Sequence, residues 1–304
     1  MLPKGRLYIL GISGGPDSMF LLDNLRRKRH KIVVAHVNYQ KRLDSGWDEK
    51  IVRNYCLKYS LPFEVYHAEN ANYLSKGNFQ DRARKIRYNF FQKLVDKCQT
   101  RYIVIAHHFN DHLETYMIQK QRKSLVDYWG LSSKTKLEKY WILRPLLPFT
   151  KQQIIKYLNL KGIDYATDSS NQLPIYQRNV IRKKLAELGK GERSDLQKEI
   201  LQKNKELKRI KLLAKKVGGK LITAPHILQL KKEGRKSPEI YLRLLYFWVN
   251  KVTDGLLQQR KKQLLPEIYK QLFISKKTDL IIELGKKFKM VKSNNQVTIL
   301  PKNN

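Results

Sequence analysis

The chain has 304 residues, enough for one large domain and one or two smaller ones, and its 41% hydrophobic content supplies a buried core. Its 62 Lys and Arg stand against 26 Asp and Glu, a formal charge of +36 that repels itself unless a polyanion neutralises it, so nucleic acid is the expected partner class. The two isolated cysteines, Cys56 and Cys98, give no support to a zinc ribbon or a cysteine-ligated cluster; with no apolar leader and no run of membrane-spanning length, a cytoplasmic protein is expected, with no membrane partner.

The first elements carry the strongest signal. A short apolar run, Leu7 to Ile12, precedes Ser13-Gly14-Gly15-Pro16-Asp17-Ser18, and an apolar-periodic run, Met19 to Leu25, follows. That is strand, glycine turn, helix. Such a turn aims backbone N–H groups outward at the start of a helix, where the helix dipole also favours negative charge. Ser13 and Ser18 add hydroxyl donors. Phosphate is the natural guest, and Asp17 beside it suggests a role with magnesium or with a reacting group. The plainer reading is a tight connection with Ser18 or Asp17 as helix cap. The string is neither a Walker loop nor the dinucleotide Gly-x-Gly-x-x-Gly.

Further along, Lys31 to Tyr39 reads as a second strand, Asp48 to Tyr59 as a helix and Phe63 to Ala68 as a third strand. Phe79 to Val95 reads as a helix with Ala83, Ile86, Phe90 and Leu94 on one face; Arg101 to His107 is a fourth strand, and Asp111 to Gln121 a helix. This alternation predicts an α/β fold with a doubly wound parallel sheet, in which ligands bind at the carboxyl ends of strands. Both the glycine turn and His107-His108 fall there. After the fourth strand, Asn110 is the expected N-cap, and Asp111 and Glu114 share one face of the first helical turn. A zinc reading of His107, His108 and His112 is disfavoured, because the spacing fits no closed ligand set.

Trp141 to Phe149 is extended and broken by Pro145 and Pro148. A helix from Lys151 to Leu160 ends at Gly162, residues 168 to 174 are rich in turn formers, and Arg178 to Leu188 is helical. Residues 189 to 235 read as a basic, solvated helical connector. From 237 the chain is apolar and helical, and residues 279 to 300 read as an antiparallel meander with two turns.

Six short strings narrow the reading: ISGGPDS at 12–18, AHVNYQKR at 35–42, ARKIRY at 83–88, AHHFNDHLET at 106–115, RPLLPF at 144–149, and DSSN followed by QRNVIR within 168–182. In this order they resemble the tRNA(Ile)-lysidine synthetases of the PP-loop ATP-pyrophosphatase superfamily. The resemblance implies an adenine nucleotide alpha hydrolase-like catalytic domain at 1–188, the connector at 189–235 and a small α+β tRNA-binding domain at 236–304. It implies that ATP adenylates the wobble cytidine of the minor isoleucine tRNA (CAU anticodon), and that free L-lysine then displaces AMP to give lysidine.

The resemblance also implies site residues. Ile12, Ser13, Gly14, Gly15, Pro16, Asp17, Ser18, His36 and Asn38 would bind ATP, and Asp17 and Asp111 would hold Mg2+. Asp17, Asp111, Glu114 and Arg178 would be catalytic. Arg84, Arg87, His107, His108, Asn179 and Arg182 would face lysine or tRNA. Tyr39, Lys41 and Arg42 follow the second strand, where adenine or the flipped cytosine would sit. Which of Asp111, Glu114 or a neighbouring histidine takes the proton of the lysine amine stays open, as does the oligomeric state, a homodimer included. Two departures stand out: Asn110 replaces the first of a usual Asp-Asp pair, and Gln121-Arg122-Lys123-Ser124 replaces a glycine-rich loop. The alternatives are a PP-loop tRNA thiolation enzyme and a non-catalytic tRNA-binding protein.

Overall fold

The computed structural model describes residues 2–40, 45–68, 79–122, 125–137, 139–167, 176–230 and 237–302. The chain forms two compact units, Met1–Ile118 with Gly130–Arg193, and Gln119–Trp129 with Ser194–Asn304.

The first unit is built on a six-stranded sheet of order β3-β2-β1-β4-β6-β5. The strands are β1 (Leu7–Gly11), β2 (Lys31–Asn38), β3 (Phe63–His67), β4 (Tyr102–Ile105), β5 (Lys134–Leu137) and β6 (Tyr140–Leu143). All neighbours run parallel except the β5–β6 pair, which is antiparallel. The period-two alternation of β1 sets the layers. Tyr8, Leu10 and Ile12 pack with helices Pro16–Arg27, Ser45–Lys58 and Lys151–Lys161 through Leu21, Val52 and Ile154. Ile9 on the opposite face packs with helix Phe79–Lys97 through Phe91, Leu94 and Val95. Both faces are covered, as a parallel sheet requires.

β1 is the point where the strand order turns: the chain goes to β2 on one side and later returns to β4 on the other. Loops leaving the carboxyl ends of β1 and β4 diverge and leave a crevice there. The first two helices after the phosphate turn match their sequence reading within a few residues. β5 was not legible: Lys-Thr-Lys-Leu is exposed along its whole length and carries no apolar alternation, and its lysines suit an edge strand.

The second unit has a five-stranded antiparallel sheet, β7-β8-β11-β10-β9. The expected meander is β9 (Leu280–Glu283), β10 (Phe288–Ser293) and β11 (Gln296–Pro301). Two three-residue strands extend it, β7 (Ile222–Ala224) and β8 (Ile227–Gln229), inside the stretch read as connector helix. That stretch is helical over Lys190–Leu221, but it is not simply solvated. Ile200, Leu207, Ala214, Gly218 and Leu221 recur at steps of seven, seven, four and three and are buried. Helix Pro238–Val252 supplies the centre of this core through Tyr241, Leu245, Trp248 and Val249. No described helix is long and apolar enough to cross a membrane.

Candidate active site

The phosphate turn is held from beneath. Ile12 donates its N–H to the Ala35 carbonyl at 2.9 Å, and the buried His36 places Nδ1 2.9 Å from the Ile12 carbonyl. Burial pushes the His36 pKa down, so the ring is a neutral Nδ1–H donor to that carbonyl. Asn38 donates to Glu49 at 3.0 Å and accepts the Gln40 N–H at 2.9 Å. Both side chains thus brace the ends of β1 and β2, behind the turn.

Gly14 takes φ +89°, and a Cβ there would sit 2.9 Å from the Asp48 carbonyl oxygen, so only glycine makes this turn. Gly15 is the N-cap and Pro16 the first helical residue, where its missing N–H costs nothing. Neither Asp17 nor Ser18 caps the helix. Ser18 instead ties the loop: its hydroxyl donates to the Gly15 carbonyl at 2.8 Å and accepts the Ser13 N–H at 3.2 Å. No described residue accepts from the N–H groups of Gly14 and Gly15.

The loop after β4 brings the second set. Helix Phe109–Gln121 starts two residues earlier than expected, so Asn110 is inside it and is not its N-cap. The reason is tertiary. The Phe109 N–H is taken by the Phe149 carbonyl at 2.9 Å, and the Asn110 side-chain oxygen accepts the Lys151 N–H at 3.2 Å. Asp111 folds back to accept the His108 N–H at 2.9 Å. The buried His108 ring lies between the two carboxylates, with Nε2 3.6 Å from Asp17 and 3.6 Å from Asp111.

Sequence reasoning missed Lys151. Its Nζ lies 2.7 Å from both Asp17 carboxylate oxygens. The only local signal is its position, directly after Thr150, which forms a capping box with Gln153. Arg144 was missed as well. Buried to 6% exposure, it donates Nε–H to His107 Nδ1 at 3.1 Å. Burial, reinforced by the charges of Arg144, Arg84 and Arg87 and opposed by Asp111, holds the His107 pKa down to about 4.

Glu114, one turn beyond Asp111, is buried and clamped by two guanidiniums, Arg178 Nε at 3.2 Å and Arg182 Nε at 2.8 Å. Asn179 is half-buried on the same helix, Tyr176–Glu187. Lys41, Arg42, Lys123, Ser124 and Asp168 to Asn171 lie outside the described residues.

One cavity of about 270 Å3 joins the two loops. Ser13, Gly15, Asp17 and Ser18 line it from the turn, His107 and Asp111 from the β4 side, and Arg84 and Arg87 from helix Phe79–Lys97. Ala35, Val37, Ile105 and Phe91 give it an apolar wall, and Tyr39 stands at its edge, donating to the Ala83 carbonyl at 3.0 Å. A flat apolar slot beside a turn of outward N–H groups and two arginines suits a nucleotide, base in the slot and phosphates on the turn.

Residues 3–188 match the model of the PP-loop domain family. The chain is 34% identical over 300 residues to the tRNA(Ile)-lysidine synthase of Mycoplasma mycoides, covering 98% of this chain and 74% of that one. It is 34% identical to the enzyme of Mesoplasma florum, covering 91% and 70%, and 34% identical to that of Mycoplasma genitalium, covering 80% and 83%. Among solved structures, the U34-tRNA thiolase NcsA from Methanococcus maripaludis shares the fold, with a TM-score of 0.56 at 13% identity over 67% of this chain and 73% of that one. With the PP-loop in place at the switch point and the likeness running through nearly the whole chain, this protein belongs to the tRNA(Ile)-lysidine synthase family of PP-loop, ATP-using enzymes.

Proposed function

We propose that this chain makes lysidine at the wobble cytidine of the CAU-anticodon isoleucine tRNA, using ATP and free L-lysine and releasing pyrophosphate and AMP. The observation that carries the reading is the convergence of the PP-loop, His107, Asp111, Arg84 and Arg87 on one cavity. ATP would lie with its base against Ala35 and Val37 and its β- and γ-phosphates on the Gly14–Gly15 amides and the Ser13 and Ser18 hydroxyls. Cytosine is a poor electrophile at carbon-2. Adenylation turns its carbonyl oxygen into a leaving group, and the α-phosphate to β-phosphate bond of ATP breaks as the new bond forms.

The fit to Mg2+ rests on the donor set. Asp17 and Asp111 present hard carboxylate oxygens on either side of His108 Nε2, and Mg2+ characteristically takes one or two carboxylates together with substrate phosphates. When bound, the ion would neutralise charge on the departing pyrophosphate. Lys151 Nζ adds positive charge beside Asp17, 2.7 Å from its Oδ1.

For the second step the lysine amine must be neutral when it attacks. Asp111, on the cavity wall, is our candidate for holding the ammonium and taking its proton. Glu114 is a poorer candidate, because it is buried and each of its carboxylate oxygens is already held by a guanidinium. We assign Glu114 to orienting Arg178, which would stabilise phosphate charge as AMP leaves. A flipped base is cheapest to extract from a single-stranded anticodon loop, and the positive chain would grip the surrounding phosphates, chiefly through the second unit.

Thiolation fits less well. Cys56 is buried, its thiol pushed up to about 12 by burial, and neither described cysteine lines the cavity.

The test is pyrophosphate release from Mg-ATP with the minor isoleucine tRNA transcript, with and without lysine, with nucleosides from the same tubes analysed by mass spectrometry. Lysine-dependent lysidine, absent with methionine tRNA and lost in Asp17→Ala, is the expected outcome. Pyrophosphate release without a lysine adduct would overturn the nucleophile. Tight tRNA binding with no ATP turnover would favour a non-catalytic role.

A further inference from the structure

We infer that His107 acts on bound substrate as a fixed hydrogen-bond donor through Nε2–H, and that Arg144 is the positioning residue that sets this tautomer. The site's chemistry rests on the function proposed above; the tautomer does not.

The argument starts from strand register. β4 and β6 are parallel neighbours with Val104 opposite Leu143, so the chain leaves both strands side by side. That brings Arg144 against the loop carrying His107. A guanidinium is protonated at every accessible pH and has no lone pair to offer. Its Nε–H points at His107 Nδ1 from 3.1 Å, so Nδ1 must carry the lone pair. The proton of the neutral ring is therefore on Nε2.

Arg144 has no freedom to turn away. Nη1 donates to the Ser132 carbonyl at 2.9 Å and to Thr135 Oγ1 at 2.8 Å, and the Arg144 main-chain N–H donates to the Ser133 carbonyl at 2.9 Å. Three of these anchors come from β5 and the loop before it, the antiparallel edge that the sequence did not reveal. The other end of the relay is open. His107 lines the nucleotide cavity, and no described residue accepts a hydrogen bond from its Nε2.

The consequence is chemical. A ring whose only lone pair is occupied by Arg144 cannot take a proton from an incoming ammonium. His107 is thereby removed from the candidates for general base. It can donate to an oxygen that gains negative charge: an α-phosphate oxygen of ATP, or the cytosine carbonyl oxygen that becomes bonded to it. Donors preset toward such an oxygen lower the barrier without reorganising.

The experiment is long-range 1H–15N NMR of the full chain labelled at histidine ring nitrogens, with His107 assigned by its loss in His107→Gln. At neutral pH His107 is expected as the pure Nε2–H form, and Arg144→Met is expected to bring in the Nδ1–H form. Finding Nδ1–H in the parent protein overturns the inference, as does an unchanged spectrum in a folded Arg144→Met; Arg144→Leu, which likewise offers no donor, serves if the methionine variant does not fold. Adding a non-hydrolysable ATP analogue, then the anticodon stem-loop RNA, tells the acceptor. A shift of Nε2–H with nucleotide alone points to phosphate, a shift only with RNA points to the cytosine oxygen, and no shift with either overturns the substrate contact. In turnover, His107→Gln, which keeps an N–H donor, is expected to retain activity within about tenfold, and His107→Ala to lose about a hundredfold. Since the tautomer is read without turnover, its failure and that of the proposed reaction are separable.

Discussion

Gly11→Ala probes the floor of the nucleotide cavity. A methyl at Gly11 would lie 2.5 Å from Phe91 Cζ and 2.9 Å from Cε2, whereas carbon atoms rest at about 3.5–4.0 Å. The ring would have to retreat by roughly 1 Å, and at 1% exposure it is enclosed by close-packed neighbours. Overpacking of this kind costs about 1–3 kcal/mol. Restricting the unfolded chain offsets about 0.4–1 kcal/mol of it. The net loss is about 1–2 kcal/mol, a fall of roughly 2–8 °C in Tm for a unit of this size. The assay is urea and thermal unfolding of Gly11→Ala, Phe91→Leu and the double variant. Leu lacks the atoms that clash, so Phe91→Leu is expected to cost less in the alanine background, with a coupling of about 1 kcal/mol or more. Both residues line the cavity, so ATP affinity is expected to fall with stability in Gly11→Ala and to recover in the double variant. A Gly11→Ala protein of parental stability, or additive costs, would refute the packing argument.

Glu114→Gln is expected to leave stability within about 1 kcal/mol, because Arg178 and Arg182 are each 50% exposed and keep their water, while lysine-dependent AMP release falls at least about tenfold. Asn110→Asp is expected to be near neutral in melting and turnover, since either side chain accepts the Lys151 N–H, whereas Asn110→Ala is expected to cost about 1 kcal/mol. Stability is expected to fall on mild acidification. His30, His36, His107 and His112 all have pKa values lowered chiefly by burial, His107 to about 4. Their contribution is complete above the unfolded value near 6.5 and is lost as pH drops from there toward about 4, because the unfolded chain binds the protons first. A Tm that is flat between about pH 7 and pH 5 would contradict this.

One of the two departures from the family strings, Asn110, is explained by a contact that no short string contains. Asn110 can replace an aspartate because its oxygen serves as an acceptor for the Lys151 N–H, a partner 41 residues away. Lys151 was invisible as a site residue because it is one lysine among many until helix Lys151–Lys161 packs on helix Pro16–Arg27 and delivers it to Asp17. His36 and Asn38 sit inside a recognisable string, yet the structure turns both toward main chain and Glu49, where they brace the turn.

By itself the sequence determined the strand–turn–helix at Ile12–Ser18, the alternation that makes a doubly wound sheet, the meander at the end of the chain and the family. These rest on local chemistry: glycine's freedom at positive φ, helix-terminal N–H groups, and side-chain periodicity that is written into consecutive residues. Tertiary structure alone decided that Arg144 faces His107, that Lys151 faces Asp17 and that Arg178 and Arg182 clamp Glu114. Each of those pairings joins residues 37 to 134 positions apart, so it exists only once strand order and helix packing have brought the segments together.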